Sequence, residues 1–167
     1  MICITSTTFQ IWPEFGLEIK TPLMFSAGCS YHLDGSNGSG KSSLITQILI
    51  PELQKQRTYT LYFEQQMHLQ LYAIKAYAAI MQKDALIATE ADLIRFMMEN
   101  LRTAYASEQR DIYLIADESH ELEELAGLCD FAPFTLIYTS HHLILPDSAI
   151  ITFQPVSPKL SHVYAEA

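Results

Sequence analysis

Apolar strand-length runs alternate with amphipathic stretches along most of the chain. Met1 to Thr8 alternates with β-branched residues and predicts a first strand, with Phe15 to Ile19 as its hairpin partner. Cys29 to Leu33 predicts a short strand that runs into Asp34-Gly35, then a Gly/Ser-rich turn and a helix from Ser42 to Ile50 that Pro51 ends. Thr58 to Phe63, rich in Tyr, Thr and Phe, predicts a strand. Met67, Leu71, Ile74, Ala78 and Met81 recur at helical intervals, which predicts a helix from Gln66 to Met81. A second helix is expected from Ala91 to Ala106, with Thr89 as N-cap and Asp92 completing an Asp form of the capping box. Asp111 to Ala116 and Thr135 to Thr139 are continuous apolar runs that suit strands covered on both faces, and Ala149 to Phe153 predicts a further strand. The sum is an α/β domain over residues 1–153 with a mainly parallel sheet flanked by helices. Residues 154–167, with two prolines, are expected to form a tail.

Composition narrows this picture. A chain of 167 residues buries enough surface for one domain. Nineteen acidic against ten basic residues give a formal charge of −9, so the electrostatic footprint of a general duplex-DNA binder is missing and nucleic acid is not an expected partner. Cys3, Cys29 and Cys129 are odd in number and lack the close spacing of zinc or redox motifs, so they read as free thiols in a reducing compartment. With no run of about 18 apolar residues, the expectation is a cytoplasmic chain without direct membrane insertion.

The strongest chemical signal is Gly35-Ser36-Asn37-Gly38-Ser39-Gly40-Lys41-Ser42, which matches G-x-x-x-x-G-K-S/T at every fixed position between a predicted strand and a predicted helix. Glycines let successive backbone N–H groups turn toward one anion, and the helix that follows presents its positive end there. Lys41 would reach the β- and γ-phosphates of a nucleotide, and the Ser42 hydroxyl would ligate Mg²⁺. A second metal partner is expected at the end of a buried strand, and Tyr113-Leu114-Ile115-Ala116 carries Asp117 and Glu118 to such a position. Asp117 would hold the magnesium shell and Glu118 would accept a proton from attacking water. A solvated acidic turn is the plain alternative, since Glu121, Glu123 and Glu124 follow.

These residues resemble the ATP-binding-cassette (ABC) ATPase family. The Asn-Gly pair in the turn that ends at Ser43 is typical of that family's loop, and Asp117-Glu118 resembles its Walker B pair with the catalytic glutamate. Leu61-Tyr62-Phe63-Glu64-Gln65 resembles its Q-loop, and Ser140-His141-His142 resembles the turn that bears its switch histidine. The resemblance implies a P-loop fold with ATP and Mg²⁺ as cofactors. It also implies Gln65 near the metal, with Gln66 as the alternative, and His141 at the γ-phosphate, with His142 as the alternative. An aromatic residue stacking on adenine would be Trp12, or failing that Phe9. The chain departs from the family's Leu-Ser-Gly-Gly-Gln element: Ala88-Thr89-Glu90-Ala91-Asp92 stands there, with Thr89 for the serine and Glu90 and Ala91 for the glycines. Ser107-Glu108-Gln109-Arg110 lies too near the next strand to replace it, and Glu121-Leu122-Glu123-Glu124 replaces the family's Ser-Ala-Leu-Asp turn. The short intervals between motifs imply reduced β- and helical subdomains, the latter at residues 66–106. The function implied is an ATP-hydrolysing subunit that docks on a separate membrane permease, reaching the inner membrane only through that partner and able to form an ATP-dependent homodimer. Alternatives are a degenerate nucleotide-binding module with little hydrolysis, a DNA-maintenance ATPase of the SMC/RecF kind, and a small-molecule kinase. The scattered Arg57, Arg95, Arg102 and Arg110 argue against the kinase.

Overall fold

The computed structural model describes residues 1–81, 88–118 and 127–165. Strands β1 (Ile2–Ile4) and β4 (Leu23–Phe25) form a small antiparallel pair beside an eight-stranded sheet. That sheet contains β2 (Thr8–Trp12), β3 (Phe15–Ile19), β5 (Ser30–Gly35), β6 (Tyr59–Phe63), β7 (Ile112–Asp117), β8 (Phe134–Thr139), β9 (Ala149–Ser157) and β10 (Leu160–Ala165). Their order is β2-β3-β10-β9-β5-β8-β7-β6. From β9 through β5, β8 and β7 to β6 every pairing is parallel. The chain is thus an α/β structure with a mostly parallel sheet and helices against it.

Strand periodicity explains the continuous apolar runs. In β7, Tyr113 and Ile115 enter one core with Leu44, Ile45 and Leu49, whereas Ile112, Leu114 and Ala116 enter another with Leu93, Ile94 and Met98. Both faces of the strand are covered, so every residue from Ile112 to Asp117 is buried.

Helix α1 (Lys41–Ser43) follows the glycine-rich turn, continues as a π-helical stretch (Leu44–Leu49) and passes without a break into α2 (Ile50–Lys55). Pro51 therefore does not end the helix as expected. It sits in the first turn of α2, directly after the wide stretch in which the Ile50 N–H bonds to the Ile45 carbonyl. The wider turn absorbs the missing proline N–H and the bulk of its ring.

Helices α3 (Met67–Ile80) and α4 (Glu90–Glu108) follow the expected spans. Ala78 of α3 and Leu93, Ile94, Met98 and Leu101 of α4 share a core with Phe63, Ile112 and Leu114, so this helical pair packs directly on the sheet. The capping box is present: Asp92 N–H donates to Thr89 Oγ1 at 3.2 Å, and Asp92 Oδ2 accepts from the Thr89 N–H at 3.0 Å. Thr89, through its hydroxyl first, holds the Asp92 carboxyl below its ordinary value of 3.8. The folded chain thus takes up this proton less readily than the unfolded one, so the box stabilises fully above about pH 4 and fades as the pH falls below that. Thr89→Ala is expected to lower the urea midpoint at pH 7, and the gap to the parent should narrow in acid. A gap independent of pH would contradict this.

Two further expectations are corrected. The first strand divides: Ile2–Ile4 pairs with β4, and Thr8–Trp12 is the true hairpin partner of β3, turned by Pro13-Glu14. Residues 154–165 are not a tail; β9 extends to Ser157 and turns into β10, which runs antiparallel to β9 and parallel to β3. Pro155 is exposed in the hairpin beside the register shift between Leu160 and Ser161, and Pro158 lies in the turn, where neither ring interrupts the ladder to β3.

Candidate functional site

The parallel strands β5, β8, β7 and β6 all finish at one edge of the sheet, and the turns that leave them carry the candidate residues. The glycine-rich turn leaves β5. Gly35 lies against β9, where a Cβ would come within 2.8 Å of both Phe153 Cβ and Ser39 Oγ. Gly40 has φ 99°, and a Cβ there would meet Leu17 Cδ2 at 2.7 Å. A side chain at either position is excluded by space, and at Gly40 by backbone conformation as well.

Lys41 is buried, 7% exposed, and its ammonium donates to the carbonyls of Gly35 at 2.6 Å and Ser36 at 3.1 Å. Among the described residues no carboxylate pairs with it. The Ser39 hydroxyl is buried in the same turn with no partner among the described residues. Ser42 is exposed, and it lines a cleft of about 520 Å³ together with Asn37, Gly38, Ser39, Gly40, Lys41 and Ser43. Trp12, Phe15, Gln65 and Glu118 complete the lining. Such a volume suits a nucleotide-sized ligand. Trp12, 57% exposed at the tip of the β2–β3 hairpin, is the more open of the two aromatic residues that line the cleft, since Phe15, like Phe9, packs against the core.

The acidic pair divides at the end of β7. Asp117 is buried and sits behind the lining, its Oδ1 accepting from Thr139 Oγ1 at 2.9 Å and its Oδ2 from the Tyr62 phenol at 3.4 Å. Burial, followed by the charges of Asp117 and Glu64, pushes the Tyr62 phenol well up, so it stays a neutral donor. Glu118 has φ 54°, a left-handed conformation rare for a residue with a side chain. Its Oε2 accepts from Gln65 Nε2 at 2.5 Å, and its Oε1 lies 3.3 Å from His141 Nε2. The same nitrogen is 2.9 Å from Asn37 Oδ1. An amide oxygen and a carboxylate both accept, so Nε2 of His141 carries the proton. Asn37, His141, Glu118 and Gln65 thereby form one chain of polar contacts, two hydrogen bonds joined by the His141–Glu118 approach.

Supporting contacts hold that chain in place. Gln70 of α3 bridges the turn before Gln65, accepting from the Glu64 N–H at 3.1 Å and donating to the Tyr62 carbonyl at 2.8 Å. His32, buried on β5 and stacked on Tyr138, bonds through Nε2 to the Ser140 carbonyl at 3.0 Å. Gln65 and His141, rather than Gln66 and His142, therefore reach Glu118. Thr139, Tyr62, Gln70, His32 and Phe15 were invisible to motif reasoning, because each is an ordinary strand or helix residue until the tertiary fold gives it a partner. Thr89 is engaged in its capping box, and Glu121 to Glu124 lie outside the described residues.

No protein-family model matches this chain, and no curated protein matches it at a significant level. Among the described residues no helix is long and apolar enough to cross a membrane. Among them, too, no three His, Cys, Asp or Glu side chains gather as a metal cage.

Proposed function

We propose that the chain is an ABC-type ATPase subunit with a P-loop fold, which binds Mg·ATP over residues 35–43, hydrolyses it and serves a separate membrane permease. One observation carries the reading: the glycine-rich turn, Gln65 and Glu118, distant in sequence, line one cleft at the carboxyl edge of a mostly parallel sheet, and His141 contacts its lining residues Asn37 and Glu118. A buried ammonium satisfied only by loop carbonyls, an orphaned Ser39 hydroxyl and a turn that tolerates no Cβ at Gly35 or Gly40 all fit a phosphate chain. Magnesium would be held by Ser42, Gln65 and Asp117, hard oxygen donors too few for a protein cage, as suits an ion that keeps waters and phosphate oxygens. Bound there, it would neutralise phosphate charge.

Lys41 would exchange its carbonyl contacts for phosphate oxygens, and the loop N–H groups would surround the same anion. Glu118 would accept the proton of the attacking water, and His141, a donor through Nε2, would steady the γ-phosphate. The permease part of the reading draws on α3, where Tyr72 is 74% and Ile80 79% exposed, an apolar surface with no partner in the described chain.

A second reading, a nucleotide-binding module that hydrolyses little, is favoured by the loss of the glycines at the family's signature position and by Thr89's engagement with Asp92.

The chain's single tryptophan reports directly on binding. Titration with Mg·ATP is expected to quench Trp12 emission saturably, with matching heat in calorimetry, and Trp12→Ala should weaken binding by about 1–3 kcal/mol, the worth of one stacked base. Absence of both quench and heat would remove the proposal.

A further inference from the structure

Between the two carboxylates of the candidate site lies one hydroxyl that no motif marks. Thr139 ends β8 directly opposite Asp117 of β7 and has no solvent exposure. Its Oγ1 donates to Asp117 Oδ1 at 2.9 Å and accepts the Glu118 N–H at 2.7 Å. The directions of these two bonds are forced: a carboxylate only accepts and an amide N–H only donates, so the single hydroxyl proton goes to Asp117 and a lone pair takes Glu118.

These bonds bracket the point where the backbone leaves regular strand geometry. Asp117 is still in β7, whereas Glu118, with φ 54°, is left-handed. That reversal breaks the strand's alternation and lets Glu118 meet Gln65 and His141 across the cleft edge. An unusual conformation persists only where its surroundings over-determine it, and the Thr139 hydroxyl is the contact made by the reversed residue's own N–H.

We infer that Thr139 is a positioning residue that locks Asp117 and Glu118 in fixed relation and keeps the Glu118 carboxylate aimed into the cleft. Its catalytic consequence rests on the ATPase reading, whereas the positioning itself does not. A threonine merely filling a strand end would be replaceable by valine, which has nearly the same shape. Under the inference, valine leaves an Asp117 oxygen and the Glu118 N–H unpaired and frees the turn, whereas serine preserves both bonds.

The experiment compares parent, Thr139→Val and Thr139→Ser, with Thr139→Ala in place of valine should that variant not fold. Amide hydrogen exchange, read without nucleotide, is expected to accelerate at Glu118 at least about tenfold in the hydroxyl-free variant and to stay at the parent's rate in Thr139→Ser. In phosphate release, kcat should fall about 10²-fold, as for a reacting group misplaced by an ångström, while KM and Trp12-reported ATP affinity hold within about twofold. Serine should restore most of kcat. Unchanged Glu118 exchange in the hydroxyl-free variant, or an unchanged kcat alongside an active parent, overturns the inference. A parent that does not hydrolyse ATP instead overturns the ATPase reading, and the exchange measurement then decides on Thr139 alone.

Discussion

Glu118→Gln is expected to lower steady-state phosphate release from Mg·ATP by about 10²- to 10⁴-fold, the contribution of a positioned general base, while ATP binding persists. The substitution keeps the side chain's length and leaves an oxygen to accept from Gln65. It removes only the capacity to take up a proton. With hydrolysis stalled, the bound nucleotide survives, and light scattering with ATP should detect dimers if two copies enclose it. A strictly monomeric protein across ATP concentrations would argue against a symmetric sandwich. If parent and variant release phosphate equally slowly while both bind ATP, the module reading replaces the ATPase.

Lys41→Ala should weaken Mg·ATP binding by about 10²-fold, since charge-assisted hydrogen bonds are worth about 1.5–3 kcal/mol each. The residue is only 7% exposed, and among the described residues its ammonium faces carbonyl dipoles without a neutralising carboxylate. A phosphate therefore gains a desolvated, uncompensated cation. In thermal unfolding, saturating Mg·ATP should raise the parent's midpoint through linkage and leave that of Lys41→Ala nearly unmoved. An equal shift in both proteins would show that the nucleotide binds elsewhere.

Much of this site was legible because its residues sit where strands end. The glycine-rich turn could be read outright from its spacing: Gly35 and Gly40 answer to close approaches of Phe153, Leu17 and Phe15, and Gly38 to a left-handed φ of 76°. Asp117 and Glu118 were legible as the end of a run buried on both faces. Their different settings, Asp117 buried and Glu118 on the cleft lining, were not. Nothing in the dipeptide says that the backbone reverses between them, since the cause is a hydroxyl on a neighbouring strand. That Gln65 and His141, and not Gln66 and His142, come next to Glu118 was not legible in sequence for the same reason, since it depends on tertiary contacts in the turns that carry them. Pro51 misled because a proline ends a regular α-helix, whereas the helix here has a wide turn in advance of it. The β9–β10 hairpin escaped because two prolines and a small buried Ser161 interrupt the usual alternation of apolar residues.

The placement of β10 between β3 and β9 has a consequence for assembly. The Trp12 wall of the cleft belongs to the β2–β3 hairpin, which joins the loop-bearing half of the sheet through β10. Ala165 N–H also reaches back to Thr21 Oγ1, 144 residues earlier. The sheet connection between the aromatic side of the cavity and the glycine-rich turn therefore forms only after β10 has been synthesised. Closure of so distant a pairing is among the slower steps available to a chain of this size. Under the proposed ATPase reading, a nascent polypeptide would hold the turn without its opposing wall, so nucleotide capture would follow the docking of β10.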